Sequence, residues 1–304
     1  DFGLALLDNE AIPKESSFHL LTVRKEGTIV RARLILVAEL VFLLTLLSFF
    51  IWVADAAEKE GQATIKNILL ELPEEVAKMQ EIFKEMVGGE VAAETDYLDQ
   101  TSQDAVRRFL SLGEKAKRSQ YFLYVDRSPG KQIAFVGFFN ASDNKAAIIG
   151  LSKISSGNEK RKGFFITPTG VFKNSPDVIG YRALGTKNAK GWRGLGVRGS
   201  RVWDFGWQKT RKNGEERLIR LLVHATDPDF GEKRLGAIDS KGCVRISGKL
   251  NRFLDHYGLL DRDYEAQKED KRFSWMLKIN REPALFAGQY LVVGDSGSLM
   301  ISKK

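Results

Sequence analysis

The chain has a single cysteine, Cys243, and only three histidines among its 304 residues. One cysteine cannot form an intramolecular disulfide, so the thiol can stay free even in an oxidising compartment. A zinc site built from Cys243, His224 and His256 would lack the paired, closely spaced ligands that are typical of such sites, and we interpret His256 as structural. There is also no tandem repeat and no low-complexity tract. With 43% hydrophobic residues the chain can form a sizeable core, and we expect no disorder over most of it.

The free thiol lies in a segment that suits nucleophilic chemistry. Cys243 directly follows Gly242, and His224 lies upstream at the end of the apolar run 221–223. Cysteine attacks as the thiolate, which needs a nearby base or positive charge to form at neutral pH. His224 can supply the base, and Lys241 or Arg245 can supply charge. Taken alone, the pair also fits the simpler interpretation that the cysteine is a small buried hydrophobic residue.

Four segments, in the same order along the chain, resemble the L,D-transpeptidase catalytic domain family (YkuD type). VHATDPDFGEKRLGAIDSKGCVRIS is similar to the family signature, in which a histidine lies upstream of a Ser/Thr-His-Gly-Cys motif, and His224 and Ser240 have that spacing. YFLYVDRSPGKQIAFVGFF resembles the family's opening hairpin, LSKISSGN its Ser/Thr-Gly strand end, and FFITPTGVFKN its Thr-Pro-Thr-Gly loop. The resemblance covers roughly residues 118–260. Lys241 departs from it, because the family usually has histidine there.

The resemblance implies a mainly β fold: an L,D-transpeptidase-like β-sandwich with a few helices. It also implies two-step acyl transfer on peptidoglycan. Cys243 attacks an amide carbonyl of a tetrapeptide stem, the terminal D-amino acid leaves, and a side-chain amine of a second stem attacks the acyl-enzyme to form a crosslink. His224 takes the thiol proton and returns it to the leaving amine. Two alternatives stay open: an L,D-carboxypeptidase, in which water is the acceptor, and a non-catalytic wall-binding protein of the same fold.

Further residues receive roles from the same resemblance and from their chemistry. The Gly242 and Cys243 backbone amides are expected to form part of the oxyanion site, and Ser240 is expected to brace the loop. Arg245 suits a substrate contact and a structural ion pair equally. We expect no cofactor and no metal. The other substrate-binding candidates are Lys241 and two tryptophans of the basic, glycine-rich segment 191–212, Trp192 and Trp203. That segment is alternatively an inert loop or a surface that stacks nucleic-acid bases.

The secondary structure expected around the motif is β-strand followed by helix. The run RLIRLLVHAT predicts a strand that ends near His224, and 128–130 predicts a hairpin turn. KLNRFLDHYG predicts a helix that starts near Gly248 and is capped by Gly258. If the Cys loop leads into that helix, its positive N-terminal end would favour the thiolate.

The segment 34–54 is almost wholly apolar and predicts a signal peptide or a membrane anchor. Basic residues precede it and Asp55 and Glu58 follow it, so the positive-inside rule places the rest of the chain outside the cytoplasm. Ala54-Asp55-Ala56 offers a cleavage site, and the uncleaved anchor is the alternative. The net charge of +8 and pI near 9.4 indicate an anionic partner. With export, we expect the periplasm or cell wall, contact with the membrane through 34–54 if uncleaved, and no nucleic acid.

These signals divide the chain into five regions. The tail 1–33 begins without methionine, and Val30 is a candidate translation start. Residues 34–56 are the signal or anchor, and 57–117 form a helical linker or packing region with amphipathic helices at 65–87 and 104–119. Residues 118–260 are the catalytic domain. Residues 261–304 form a C-terminal extension that packs on it as a strand pair.

Overall fold

The computed structural model describes residues 42–56, 74–88, 91–116 and 118–297. The chain divides into two compact units, Asp1–Leu72 and Pro73–Lys304. In the first unit, residues 42–56 are helical and their side chains are exposed. Among the described residues, no helix combines the length and the apolar character needed to cross a membrane. The other residues of the predicted signal or anchor, 34–41, lie outside the described residues, as does the tail 1–33.

The second unit contains two mixed β-sheets, and the first of them has five strands. The five strands are β1 Gln120–Asp126, β2 Ile133–Asn140, β3 Lys145–Lys153, β4 Gly170–Lys173 and β9 Tyr290–Gly294. Their order in the sheet is β3-β2-β1-β9-β4. Strands β1 and β9 run parallel, whereas the other neighbours are antiparallel. The hairpin turn predicted at 128–130 joins β1 to β2 and is confirmed.

A helix covers one face of this sheet. Thr95–Leu110 carries Ala105 and Phe109 into a cluster with aromatic side chains of β1, β2 and β9. The ring of Phe109 lies 4.9 Å from that of Phe122 and stacks on that of Phe139 at 5.1 Å. The helix begins before the predicted segment 104–119. Burial of several large aromatic rings, each worth about 1.5–3 kcal/mol, accounts for its position.

The second sheet carries the candidate site, and its four strands, β5 (Tyr181–Arg182), β6 (Arg201–Lys212), β7 (Glu215–Ala225) and β8 (Val244–Ile246), lie in the order β5-β6-β7-β8. The pairs β5–β6 and β6–β7 are antiparallel, and β7–β8 is parallel. Two isolated bridges, Ser155 to Arg245 and Gly157 to Ser240, connect the chain after β3 to the segment around Cys243.

A helix follows β8, as predicted. Gly248–His256 begins after Ser247, whose hydroxyl accepts the Leu250 amide at 3.0 Å, a standard N-terminal cap. The chain turns away at Gly258, which has a φ of +56°. The buried face of the helix includes Phe253, whose ring packs edge-on against that of Phe83, from the helix of residues 74–86, at 5.1 Å.

The C-terminal residues supply a strand of the first sheet. β9 lies between β1 and β4, and it is buried along its whole length. The predicted strand pair is therefore only half described: one member is β9, and the other, near 298–302, lies outside the described residues. Before β9, a short helix, Arg262–Glu265, leads to a small apolar cluster of Tyr264, Phe273 and Met276. The mainly β character predicted from the sequence is confirmed.

Candidate active site

The second sheet brings Cys243 and His224 to one face. His224 is the penultimate residue of β7 and lies opposite Arg245 of β8 in the parallel register. Cys243 directly precedes β8, so the same register places it level with Leu222. Because alternate residues of a strand share a face, the side chains of Leu222 and His224 lie on the side that carries Cys243 and Arg245.

The His224 ring is buried and oriented by the main chain. Its Nδ1 lies 2.7 Å from the Ala225 carbonyl oxygen, which only accepts hydrogen bonds, so Nδ1 carries the proton and Nε2 keeps its lone pair. Burial lowers the pKa of His224 to about 4, aided by the charge of Arg245 and opposed by the Ala225 hydrogen bond. At neutral pH the residue is therefore a neutral imidazole whose Nε2 is unprotonated.

The Cys243 thiol is partly exposed and is a thiol rather than a thiolate at neutral pH. Burial raises its pKa, and the charge of Asp204 adds to the increase, whereas the Leu222 amide and Arg245 oppose it. Its hydrogen-bond partner is the Arg220 carbonyl, 3.8 Å from Sγ, and not the His224 ring. Transfer of the proton to His224 therefore requires the cysteine side chain to turn from this carbonyl towards the imidazole.

The expected contribution of a helix N-terminus to the thiolate is not found. Strand β8 separates Cys243 from the helix that begins at Gly248. At about 3.3 Å per residue in a strand, the intervening strand keeps the start of the helix farther from Cys243 than the length of one helical turn. The helix dipole has little effect beyond that distance. The raised pKa of the thiol is consistent with this separation.

Ser240 ties the loop that precedes the thiol. Its hydroxyl donates to the Cys243 carbonyl and accepts the Gly242 amide at 3.0 Å. The Gly242 amide is therefore already engaged, which corrects its expected place in the oxyanion site. Gly242 has a different role: it is buried with a φ of +128°, and a Cβ there would lie 2.8 Å from Cδ1 of Ile219. Of the two amides in the loop, that of Cys243 remains the oxyanion candidate.

Thr167 joins three of the four segments that carry the family resemblance, a role missed in the sequence. Its hydroxyl donates to the Gly242 carbonyl at 2.8 Å and accepts the Gly157 amide at 2.8 Å. The space there is closed, because a Cβ on Gly157 would lie 2.0 Å from the Phe165 carbonyl oxygen. A threonine in a turn gives no sequence signal of such a contact, since its partners are distant in the chain.

Arg245 forms the structural ion pair that was one of its two expected roles. Its Nη1 lies 3.0 Å from Asp239, a buried carboxylate that also pairs with Arg161 and Arg234, each at 2.7 Å. Burial lowers the pKa of Arg245 despite the charge of Asp239. The charge of the guanidinium also affects the pKa values of Cys243 and His224, because it lies near both side chains.

The substrate-binding candidates have different environments. Lys241 is exposed, and its Nζ lies 5.8 Å from the centre of the Phe164 ring. Trp192 is half-buried and stacks on Phe230 at 6.2 Å. Trp203 is completely buried and its indole donates to Asp261 at 3.0 Å. The prediction that Trp203 binds substrate is therefore wrong: it is a core residue.

Tyr181, which was not among the residues predicted from the sequence, shares the face of Cys243. Tyr181 of β5 lies opposite Val202, which lies opposite His224. Burial raises the pKa of Tyr181, and the charges of Asp204 and Cys243 raise it further. The effect of Cys243 indicates that the phenol group lies near the thiol. β5 has only two residues, too few for an alternating pattern to reveal the direction of Tyr181.

His256 lies away from this face, on the helix Gly248–His256, with Nε2 3.6 Å from Glu282. Across the described ranges, no group of three or more His, Cys, Asp or Glu side chains is arranged to hold a metal ion.

Comparison with protein-family models and with curated proteins finds no match to this chain.

The state of the thiol leads to a direct prediction. Alkylation of Cys243 by iodoacetamide should accelerate with pH to a midpoint above 8.5, the usual value for cysteine, because burial raises the thiol pKa. The measurement is the pH dependence of the labelling rate, which reports one residue because the chain has one cysteine. Protein unfolded in urea serves as the reference, with an ordinary midpoint. A labelling rate that is already constant below pH 7 would instead indicate a preformed thiolate–imidazolium pair.

Proposed function

We propose that the protein is an exported L,D-transpeptidase, a cysteine acyltransferase that crosslinks peptidoglycan stem peptides. The observation that carries the proposal is the placement of Cys243 and a neutral His224 on one face of two adjacent parallel strands, with Nδ1 of the imidazole held by the Ala225 carbonyl so that Nε2 is the basic nitrogen. The four ordered segments that resemble the family add the substrate class. The fold proposed with this function is the family's β-sandwich, with no cofactor and no metal.

The first half of the reaction forms a thioester. Nε2 of His224 takes the thiol proton while Sγ of Cys243 adds to the amide carbonyl carbon of the donor stem. The charge that develops on sulfur increases the basicity of the neighbouring imidazole, because an opposite charge nearby favours the protonated form. The tetrahedral intermediate then expels the terminal D-amino acid, whose nitrogen receives the proton from His224.

The second half transfers the acyl group. An amine of a second stem, deprotonated by Nε2 of His224, attacks the thioester carbonyl and forms a new amide, and the sulfur leaves and regains its proton from the imidazolium. The backbone amide of Cys243 is the proposed donor to the oxyanion in both halves.

Location and partners follow from the same proposal. The catalytic unit acts in the periplasm or cell wall on an anionic polymer, which a chain of net charge +8 suits. Residues 34–54 anchor it in the membrane if they are not cleaved. Nucleic acid is not a proposed partner.

The test is incubation of the protein with purified tetrapeptide-containing wall fragments, followed by mass spectrometry. An acyl adduct on Cys243 and crosslinked dimers are expected, and both should be absent from Cys243→Ala. That variant is a suitable control because alanine occupies less space than cysteine at a partly exposed position.

The products separate the alternatives. Tripeptide without dimers would identify an L,D-carboxypeptidase, in which water replaces the amine. Folded protein that forms no adduct and no product would contradict acyl transfer from this donor and favour the non-catalytic wall-binding protein.

A further inference from the structure

A β-bulge in β6 turns one tryptophan outwards beside the site. The register with β7 shifts between Asp204 and Trp207, where Gly206 has a φ of +76°. Trp203, before the bulge, and Phe205, within it, are buried. After it, Trp207 is 65% exposed, because one inserted residue moves the following side chains to the other face. Trp207 then lies directly opposite Arg220 of β7.

Arg220 is on the face of the thiol and adjacent to it. It is two residues before Leu222 and four before His224, so the three side chains share a side of β7. Its own carbonyl oxygen is the hydrogen-bond acceptor of the Cys243 thiol. The backbone of Arg220 therefore lies 3.8 Å from Sγ, and its side chain projects from the same face of the sheet.

The guanidinium of Arg220 is held in place on one side and open on the other. Its Nε donates to Oδ2 of Asp204 at 2.7 Å, and the other oxygen of Asp204 accepts the Gly206 amide at 2.9 Å. Asp204 is buried, whereas the Arg220 side chain is 48% exposed. Within the described part of the chain, the two Nη nitrogens donate no hydrogen bond. The bulge thus fixes the carboxylate that orients an arginine with free donors.

We propose that Arg220 binds a carboxylate group of the acyl donor, with its two Nη nitrogens donating to the two oxygens. Guanidinium and carboxylate groups match in this two-bond geometry, which a lysine cannot reproduce. The exposed indole of Trp207 provides the apolar surface beside it. Asp204 is a positioning residue that acts through Arg220. This inference rests on the proposed acyl transfer only for the identity of the donor, and not for the carboxylate site itself.

A pair of small reagents tests the carboxylate site without any peptide turnover. Iodoacetate and iodoacetamide alkylate the same thiol and lose the same iodide, but only iodoacetate carries a carboxylate. We expect the rate constant for iodoacetate, divided by that for iodoacetamide, to fall about tenfold in Arg220→Gln. This is the size of the effect of one lost hydrogen bond to a charged group. The matched control is Arg217→Gln, an exposed arginine on the same strand that points to the opposite face and pairs with Glu215. It should leave the ratio unchanged.

An unchanged ratio in folded Arg220→Gln would overturn the proposal, even if both rates changed together. Arg220→Lys covers the case in which the glutamine variant fails to fold, because lysine still neutralises Asp204. It is expected to give an intermediate ratio, and a ratio equal to that of the original protein would also overturn the role of the guanidinium.

Donor peptides then locate the carboxylate. If it is the one at the C-terminus, Arg220→Gln should raise KM about tenfold for the free-acid donor and leave the C-terminally amidated donor unaffected. If it is a side-chain carboxylate of the donor, amidation of that side chain should remove the difference instead. A raised KM for none of these donors would contradict binding of the donor. Absence of turnover in every form, with the reagent ratio still dependent on Arg220, would refute the proposed reaction and retain the site.

Discussion

Replacement of His224 by glutamine is expected to lower kcat/KM for acyl transfer by about 10²- to 10⁴-fold, the usual contribution of a general base. Glutamine has a similar size, and its amide group can still donate to the Ala225 carbonyl in place of Nδ1. It has no basic nitrogen to take the thiol proton, so the loss is chemical. The measurement is steady-state turnover of a tetrapeptide donor, with thermal unfolding to show that the variant is folded.

The pH dependence distinguishes a base from a packing residue. The base must be neutral, and its pKa in the free protein is about 4, so kcat/KM should rise as the pH increases through about 4. An ordinary histidine would place this rise near 6.5. A rise near 6.5, or a His224→Gln variant with the original rate, would contradict the assignment of His224 as the buried neutral base.

The same shift affects stability, with a sign that can be worked out. His224 is harder to protonate in the folded state than in the unfolded chain, so burial of the neutral ring contributes stability that is complete above about pH 6.5. This stability is lost as the pH falls from about 6.5 to about 4. For the pKa of about 4, the loss amounts to about 3 kcal/mol. Part of the acid sensitivity of the free energy of unfolding should therefore be absent from His224→Gln.

Local signals in the sequence were sufficient to predict the secondary structure around Cys243 and His224. The apolar run before His224 predicts a strand with the histidine near its end, and β7 has His224 as its penultimate residue. The helix from Gly248 was equally accessible, because its cap at Ser247 and its apolar spacing are local. These features depend on residues within a few positions of one another.

The contacts around the face of Cys243 could not be predicted in this way. The bulge at 204–207 reverses which side chains of β6 point inwards, so simple alternation could not separate buried Trp203 from exposed Trp207. The use of the Gly242 amide by Ser240 depends on the orientation of a hydroxyl group. Of the three arginines around Asp239, Arg161 comes from a distant segment, and no spacing rule joins it to the carboxylate.

Replacement of Asp261 by alanine is expected to destabilise the second unit by about 3–5 kcal/mol, because it leaves the buried Arg201 without its counter-charge. The carboxylate is completely buried. It pairs with Arg201 at 3.1 Å and with Arg281 at 2.6 Å, and it accepts the indole of Trp203 at 3.0 Å. Burial alone would raise the pKa of Asp261, but the two guanidinium groups outweigh it and hold the pKa below its ordinary value. The group is therefore ionised at neutral pH.

Urea unfolding measures the loss, and an exposed ion pair provides the matched control. Asp229→Ala removes a carboxylate that is 56% exposed and 3.0 Å from Arg193, and it should cost no more than about 1 kcal/mol. Equal losses in the two variants would show that water reaches Arg201 and Arg281 in the folded state. Because Asp261 holds β6 through Trp203, and β6 continues into the bulge at Asp204, its loss should lower the amount of active protein. The folded fraction should keep the KM of the original protein, which separates this effect from that of Arg220→Gln.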